Sequence, residues 1–394
     1  MSGKQKFTFL MLFLGSLSAF GPFVTDLYLP ALPSLAEYFN ATPSMSQLSL
    51  TMSMLGLSVG QLFVGPLSDK YGRKRLLLLS LCLFVGGTVA CIVAPNIIMF
   101  NVFRLLQGMA ASGGIVIARS ISADSYRGAV LTKFLAMVSA VNGVAPIVAP
   151  VLGGFLLNFM SWKGTFAVLL LYGALLLIMS GKFQESLPVK RRSKKSIVAN
   201  FSLYAKVFKN RTYVLYFLVC TFPGIVLFGY ISASPFIYQQ IYGLSPVGFS
   251  LCFALNAVFT AAGCGFSGKV SDGRVALKIS GLGMLAFSIA VGTALMTHAP
   301  LPLLQLAFMG LTFMFGLSQP PATALALNAE RTNAGTAAAA LGAAGFLMGG
   351  IVSPLVGMGD IAFCASLILI IGAVLSFVAI LIATRNCVSL GRTA

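Results

Sequence analysis

The stretch Gly65-Pro66-Leu67-Ser68-Asp69-Lys70-Tyr71-Gly72-Arg73-Lys74-Arg75 gathers its charges into a tight cluster, and on either side of that cluster the charges stop. Residues 38–68 and 76–103 contain no Asp, Glu, Lys or Arg. Each run exceeds the roughly 20 residues that cross a bilayer as a helix. Gly65 and Gly72 offer the backbone freedom that a tight turn between two helices needs. Asp69 is placed to cap a helix N-terminus or to pair with a basic residue across the loop. The stretch reads as a short loop joining two membrane-spanning helices.

The same rhythm extends outward. Residues 7–36 are interrupted only by Asp26, and residues 105–118 reach span length only if Arg104 lies inside the membrane. Residues 134–162 and 164–181 make two further spans. Residues 212–268 and 279–329 are each long enough for two helices, with turn signals midway at Gly243-Leu244-Ser245-Pro246 and His298-Ala299-Pro300-Leu301-Pro302. Residues 332–359 and 361–384 bring the expectation to twelve spans, six in each half. The predicted fold class is an all-α polytopic membrane protein. A β-barrel, the other spanning solution, needs short alternating segments, and these runs are long and uniformly apolar.

Composition agrees. Apolar residues make up 58% of the 394 positions and charged residues 9%, against about a quarter charged in a soluble domain. With both termini cytoplasmic, every Lys and Arg except Lys163 and Arg104 falls on the cytoplasmic side, so the net charge of +18 is a topology signal. Because these charges sit in short loops between spans, a nucleic-acid partner is not expected. No nucleophile–base–orienter set, metal cluster or phosphate-binding loop suggests an enzyme, a metal or a cofactor. The seven cysteines lack CxxC spacing and read as small packing residues. The first apolar run is too long for a signal-peptide core and is expected to stay as the first helix.

Residues 183–211 form the one linker-like stretch, with the basic core Lys190-Arg191-Arg192-Ser193-Lys194-Lys195. It is expected to lie on the anionic inner leaflet or to be a solvated loop. It divides residues 1–182 from residues 212–394. An internal repeat supports that division: Gly65 to Asp69 recurs as Gly268-Lys269-Val270-Ser271-Asp272, 203 residues later. Parallel repeats are a known transporter plan, with the substrate site between the halves.

Among the polar residues, Asp26 is the clearest carboxylate within a span. Carboxylates in hydrocarbon usually mark an ion or substrate path. Withdrawal from water strengthens proton retention, which suits Asp26 to proton uptake and release. The plainer reading is a solvated residue near a helix end. Arg104 lies about 10 Å below the outer face at 1.5 Å per residue if its helix begins near Ile97. It either shares a polar pocket with Asp26 or snorkels outward. Tyr28, Asn142, Tyr230, Asn256 and Gln319 are candidates to line a cavity or to bond neighbouring helices. Pro146, Pro150, Gly153 and Gly154 predict a bent, closely packed fifth span. His298 reads as a loop histidine and Trp162 as an interface anchor.

Four motifs carry a family resemblance. The stretch from Gly65 to Arg75 resembles the cytoplasmic loop motif of the major facilitator superfamily, Gly-x-Leu-(Ser/Ala)-Asp-x-x-Gly-Arg-(Lys/Arg). Arg104-Leu105-Leu106-Gln107-Gly108 resembles that family's fourth-helix arginine motif. Ala149-Pro150-Val151-Leu152-Gly153-Gly154 is similar to its antiporter motif, with Ala in place of the first Gly. Thr25-Asp26-Leu27-Tyr28-Leu29-Pro30-Ala31-Leu32-Pro33 resembles the first-helix signature of bicyclomycin/chloramphenicol-type drug–proton antiporters.

The resemblance implies a major facilitator fold and a proton-coupled exporter of small amphipathic antimicrobials, phenicol- or bicyclomycin-like. Such a protein is a multi-pass monomer of the bacterial inner membrane, driven by the proton gradient without a cofactor. Its partners are drug, protons and membrane lipid. Asp26 and Arg104 would couple protons, and Asp26, Tyr28, Asn142, Tyr230 and Asn256 would bind substrate. Gly65, Asp69, Gly72, Arg73 and Lys74 would form a gating loop. Some drug antiporters carry a second acid two turns before the first; position 18 here is Ser, which leaves Asp26 the main proton carrier and weakens the case for dicationic substrates. The alternatives are an exporter of an endogenous metabolite (a sugar, amino acid or peptide) and a passive facilitator.

Overall fold

The computed structural model describes residues 3–126, 144–192, 197–270, 272–330 and 334–390, and the regular elements among them are helices. In chain order they are α1 (Gly3–Ser18), α2 (Phe20–Asp26), α3 (Leu32–Tyr38), α4 (Pro43–Tyr71), α5 (Arg73–Ile92) and α6 (Ile97–Ser125). Next come α7 (Val144–Leu156), α8 (Trp162–Lys182), α9 (Ile197–Lys209), α10 (Arg211–Thr221) and α11 (Pro223–Phe236). The last five are α12 (Pro246–Ser267), α13 (Gly273–Met296), α14 (Leu301–Ala329), α15 (Ala334–Val356) and α16 (Ile361–Leu390).

Among the described residues, 11 helical segments are long and apolar enough to cross a membrane. The remaining expected span, over residues 134–162, is described in its later part as α7. Large apolar side chains face outward, Leu83 at 58%, Leu171 at 60% and Leu282 at 60% exposure among them. A protein in water does not tolerate so much exposed apolar surface, whereas lipid does.

Local chemistry explains the boundaries. The Asn96 side chain accepts from Met99 N at 2.9 Å, so α6 starts at Ile97 as the sequence suggests. Ser245 caps α12 in the same way, after Gly243 turns the chain with φ +67°. His298 takes φ +49° just past α13, and Ala299 N closes the turn on Ala294 O at 2.9 Å. It is a helix-terminating residue in the expected turn.

The first span, Thr8–Tyr38, is broken twice, each time four residues before a proline. A proline has no N–H for the carbonyl four positions back, and its ring crowds that carbonyl. Pro22 thus ends α1 at Ser18, and Pro30 ends α2 at Asp26. A 3₁₀ turn, Leu29–Ala31, leads into α3. The span Arg211–Ile241 is segmented in a comparable way, with Pro223 opening α11 and Pro235 near its end.

The chain forms two compact units, Met1–Ala41 with Leu48–Asn200, and Thr42–Gln47 with Phe201–Ala394. Both use the same close helix contact. In the first, α4 and α6 meet where a Cβ on Gly60 would overlap Ser112; in the second, α12 and α14 meet where one on Gly263 would overlap the Phe313 carbonyl. Gly263 follows Gly60 by the same offset as the sequence repeat.

Two expectations change. Gly65 lies inside α4 with ordinary helical geometry and the nearest atom to a built Cβ at 3.9 Å, so it is not a turn residue. The loop contracts to Gly72 alone, at φ +101° between α4 and α5. The stretch 183–211 is not a uniform linker either. Its second part folds as α9, whose Val207 is fully buried in the core of the second unit with Tyr213, Tyr216 and Leu277.

Candidate functional site

The site residues of the first unit gather around the proline break after Asp26. Because the chain leaves the helix there, the carbonyls of the last turn of α2 lose their normal donors. Arg104 on α6 supplies one: its Nη2 donates to Val24 O at 2.9 Å. Its Nη1 donates to Gln107 Oε1 at 2.5 Å, and Gln107 Nε2 donates in turn to Thr88 Oγ1 at 2.7 Å on α5. The guanidinium lies 4.3 Å from the Tyr28 ring centre and 5.4 Å from that of Phe166. The residue has no solvent exposure.

Arg104 therefore does not snorkel. It is a cation held at a helix C-terminus, where the helix dipole favours positive charge, and against aromatic faces. No carboxylate lies within 4.0 Å of it among the described residues, and its Nε, also buried, has no acceptor. Near Asp26, the acceptor for Arg104 is the backbone carbonyl of Val24, two residues before that carboxylate. A buried guanidinium takes neutral acceptors when packing delivers them first.

Asp26 is 6% exposed, so it is not a solvated end residue. Its Oδ1 lies 2.8 Å from Thr25 Oγ1, whose one hydroxyl proton is shared between that carboxylate and Gly21 O at 3.0 Å. Tyr28 OH and Ser49 Oγ are 3.1 Å apart. The Tyr28 ring is fully buried under Arg104 rather than lining open space. From α7, Gly153 packs flush on the same break: a Cβ there would overlap the Leu27 carbonyl oxygen and lie 3.5 Å from Pro30 Cγ. Pro146, Pro150 and Gly154 belong to the same short helix, and Asn142 lies outside the described residues.

The loop motif builds a second cluster in this unit. Arg73 pairs with Asp69 at 2.6 Å and with Asp124, near the end of α6, at 3.0 Å. Asp69 thus meets a basic residue as expected, but it caps no helix. That task falls to Glu185, which the sequence reading did not single out. Its carboxylate accepts from Arg73 N at 3.0 Å and Lys74 N at 3.2 Å, the first turn of α5. Lys74 Nζ donates to Gly181 O at 2.9 Å. In the second unit, the repeat partner of Asp69 behaves differently: Asp272 caps α13 by accepting from Arg274 N at 2.8 Å.

Tyr230 and Asn256 belong to the second unit and do come together. Asn256 Nδ2 donates to Tyr230 OH at 2.8 Å, and its Oδ1 accepts from Gln305 Nε2 at 3.0 Å. Tyr238 OH closes the ring by donating to Gln305 Oε1 at 2.5 Å. Phe253 and Phe308 flank it. Tyr238 and Gln305 were missed; Gln305 was visible as the one amide among residues 279–318. Gln319 stands apart, 3.5 Å from Ser318 Oγ. Trp162 is no lipid-facing anchor: it is 3% exposed, packed between Phe39, Phe100 and Phe166.

Known proteins resemble this chain along most of its length. Residues 9–354 match the model of the Major Facilitator Superfamily. An uncharacterized MFS-type transporter, YdgK of Bacillus subtilis, is 36% identical over 365 residues, covering 91% of this chain and 90% of that protein. A bicyclomycin resistance protein homolog of Haemophilus influenzae is 29% identical and covers 94% of both. The crystal structure of a D-xylose-proton symporter superposes with a TM-score of 0.74 at 16% identity, over 94% of this chain and 97% of that one. The chain belongs to the Major Facilitator Superfamily, as a multi-pass membrane transporter of small molecules and not an enzyme.

Proposed function

We propose that this transporter is a proton-coupled antiporter exporting small amphipathic antimicrobials, phenicol- or bicyclomycin-like, across the bacterial inner membrane by alternating access. Both termini face the cytoplasm, and the proton gradient is the sole driving force. The observation that carries this reading is Asp26, a carboxyl group 6% exposed at a proline break within a span, with Thr25 as its hydrogen-bond donor. The resistance named in the Haemophilus influenzae relative supports the substrate class.

Asp26 carries a negative charge that a basic or polar drug can use, or a proton, and the two ligands compete for it. Drug binds from the cytoplasm while Asp26 is ionised. Protonation from the outside then releases it, and proton loss inward resets the cycle. Arg104 holds the break open by occupying the Val24 carbonyl, so Asp26 keeps its place through the cycle. Asp26→Asn is expected to abolish drug efflux driven by a pH gradient in proteoliposomes while the protein still folds. Full efflux by the variant overturns the assignment, and wild-type flux indifferent to an uncoupler makes the protein a passive facilitator.

A further inference from the structure

Residues 185–192 fold back over the start of α5 and leave a groove of about 370 Å³ lined by Tyr71, Lys74, Arg75, Leu78, Glu185 and Arg192. Its charges are unbalanced. Glu185 is already engaged by Arg73 N, Lys74 N and Leu187 N, and Arg192 Nη2 lies 3.6 Å from it. Against that one carboxylate stand Lys74, Arg75 and Arg192. Arg75 is exposed and has no ion pair among the described residues. Arg192 Nε is buried without an acceptor. The groove lies at the end of a membrane-spanning helix, Arg73–Ile92, whose outward face continues from Arg75 through Leu79 and Leu83. Those two leucines are 54% and 58% exposed and follow Arg75 at four-residue steps, so they share its face of the helix.

We propose that this groove binds the headgroup of an anionic phospholipid, its phosphate held by Lys74, Arg75 and Arg192 and its acyl chain laid along Leu78, Leu79 and Leu83. The juxtaposition of surplus positive charge and an apolar track selects a lipid over a free anion, which would use only the charge. Tyr71 sits at the boundary, where amphipathic rings favour the headgroup level. The site is independent of what the protein transports and of Asp26. A lipid held there bridges α5 and the segment leading to α9, and so ties lipid composition to the stability of this end of the first unit.

The test uses purified full-length protein in detergent micelles doped with phosphatidylglycerol or phosphatidylcholine at equal mole fraction. Retained lipid is counted by native mass spectrometry, and a melting curve checks folding. Wild type is expected to retain phosphatidylglycerol in preference to phosphatidylcholine. Arg75→Gln should weaken that retention about fivefold and Arg75→Gln with Arg192→Gln about 30-fold, from the strength of a basic residue near an anionic surface. Lys278→Gln in the second unit should leave it unchanged. Arg75 makes no ion pair among the described residues, so the single variant decides the matter if the double one melts early. Equal retention of both lipids, or undiminished phosphatidylglycerol in a folded Arg75→Gln, overturns the proposal. Displacement of the lipid by inorganic phosphate alone overturns it in favour of a free anion.

Discussion

Asp26 and Arg104 show how single residues are settled inside a membrane. An arginine there has many donors and no water, so every acceptor within reach counts. The proline break after Asp26 freed backbone carbonyls, and Arg104 took one of them rather than the carboxylate. Gly153 is fitted to the same break. Gly153→Ala would push a methyl group into the Leu27 carbonyl, which is backbone and has little room to yield. It is expected to destabilise the protein by about 1–3 kcal/mol, as overpacking usually does, read as a lowered melting temperature in detergent. Gly65→Ala is the contrast. Its Cβ would find the nearest atom at 3.9 Å inside a helix, so a gain of up to about 1 kcal/mol is expected from helix propensity. Equal losses for both would contradict the packing described.

At the scale of elements, the loop motif gives α5 its start, and Glu185 completes it from 112 residues away. Removing this cap by Glu185→Ala should cost about 1–2 kcal/mol, the usual range for a helix N-cap with a favourable dipole interaction. Thermal unfolding of the purified variant measures it, and an unchanged melt would mean the cap is replaced by water. Sequence reading found the motif and left Asp69 two roles, a cap or an ion pair; it makes the pair, and the cap falls to Glu185. Glu185 fell within the linker-like stretch 183–211, where no local pattern ties an acid to the start of α5. Helix boundaries were more legible. Asn96, Gly243 with Ser245, and His298 all act locally, through bonds spanning three to five residues.

At the scale of the whole molecule, the proposed export requires the basic loops to lie on the cytoplasmic side, as the positive-inside rule predicts. Alkaline phosphatase fused after His298 should be active in cells, and fused after Lys195 it should be inactive. A fluorescent protein at the C-terminus should fold and fluoresce. The reverse pattern would place the basic loops outside and remove the inward-facing drug entry. The repeat is real at this scale yet uneven in detail. Gly60 and Gly263 make the same close helix contact, whereas Asp69 makes an ion pair and Asp272 a cap. The first unit carries the intramembrane charges Asp26 and Arg104; the second carries the uncharged ring of Tyr230, Tyr238, Asn256 and Gln305.

The amino-acid sequence alone determined the spans, their class and the residues worth watching. Hydrocarbon judges each segment by its own length and polarity, so the constraint is local and can be read along one dimension. Tertiary structure alone decided who meets whom. Arg104 sits on Val24 O, Glu185 on the start of α5, Tyr28 beneath Arg104, and Trp162 in an aromatic core instead of at the lipid surface. A polar group withdrawn from water bonds whichever acceptor the packing brings near, including carbonyls freed by a proline. Those partners lie tens of residues apart, and no local pattern names them.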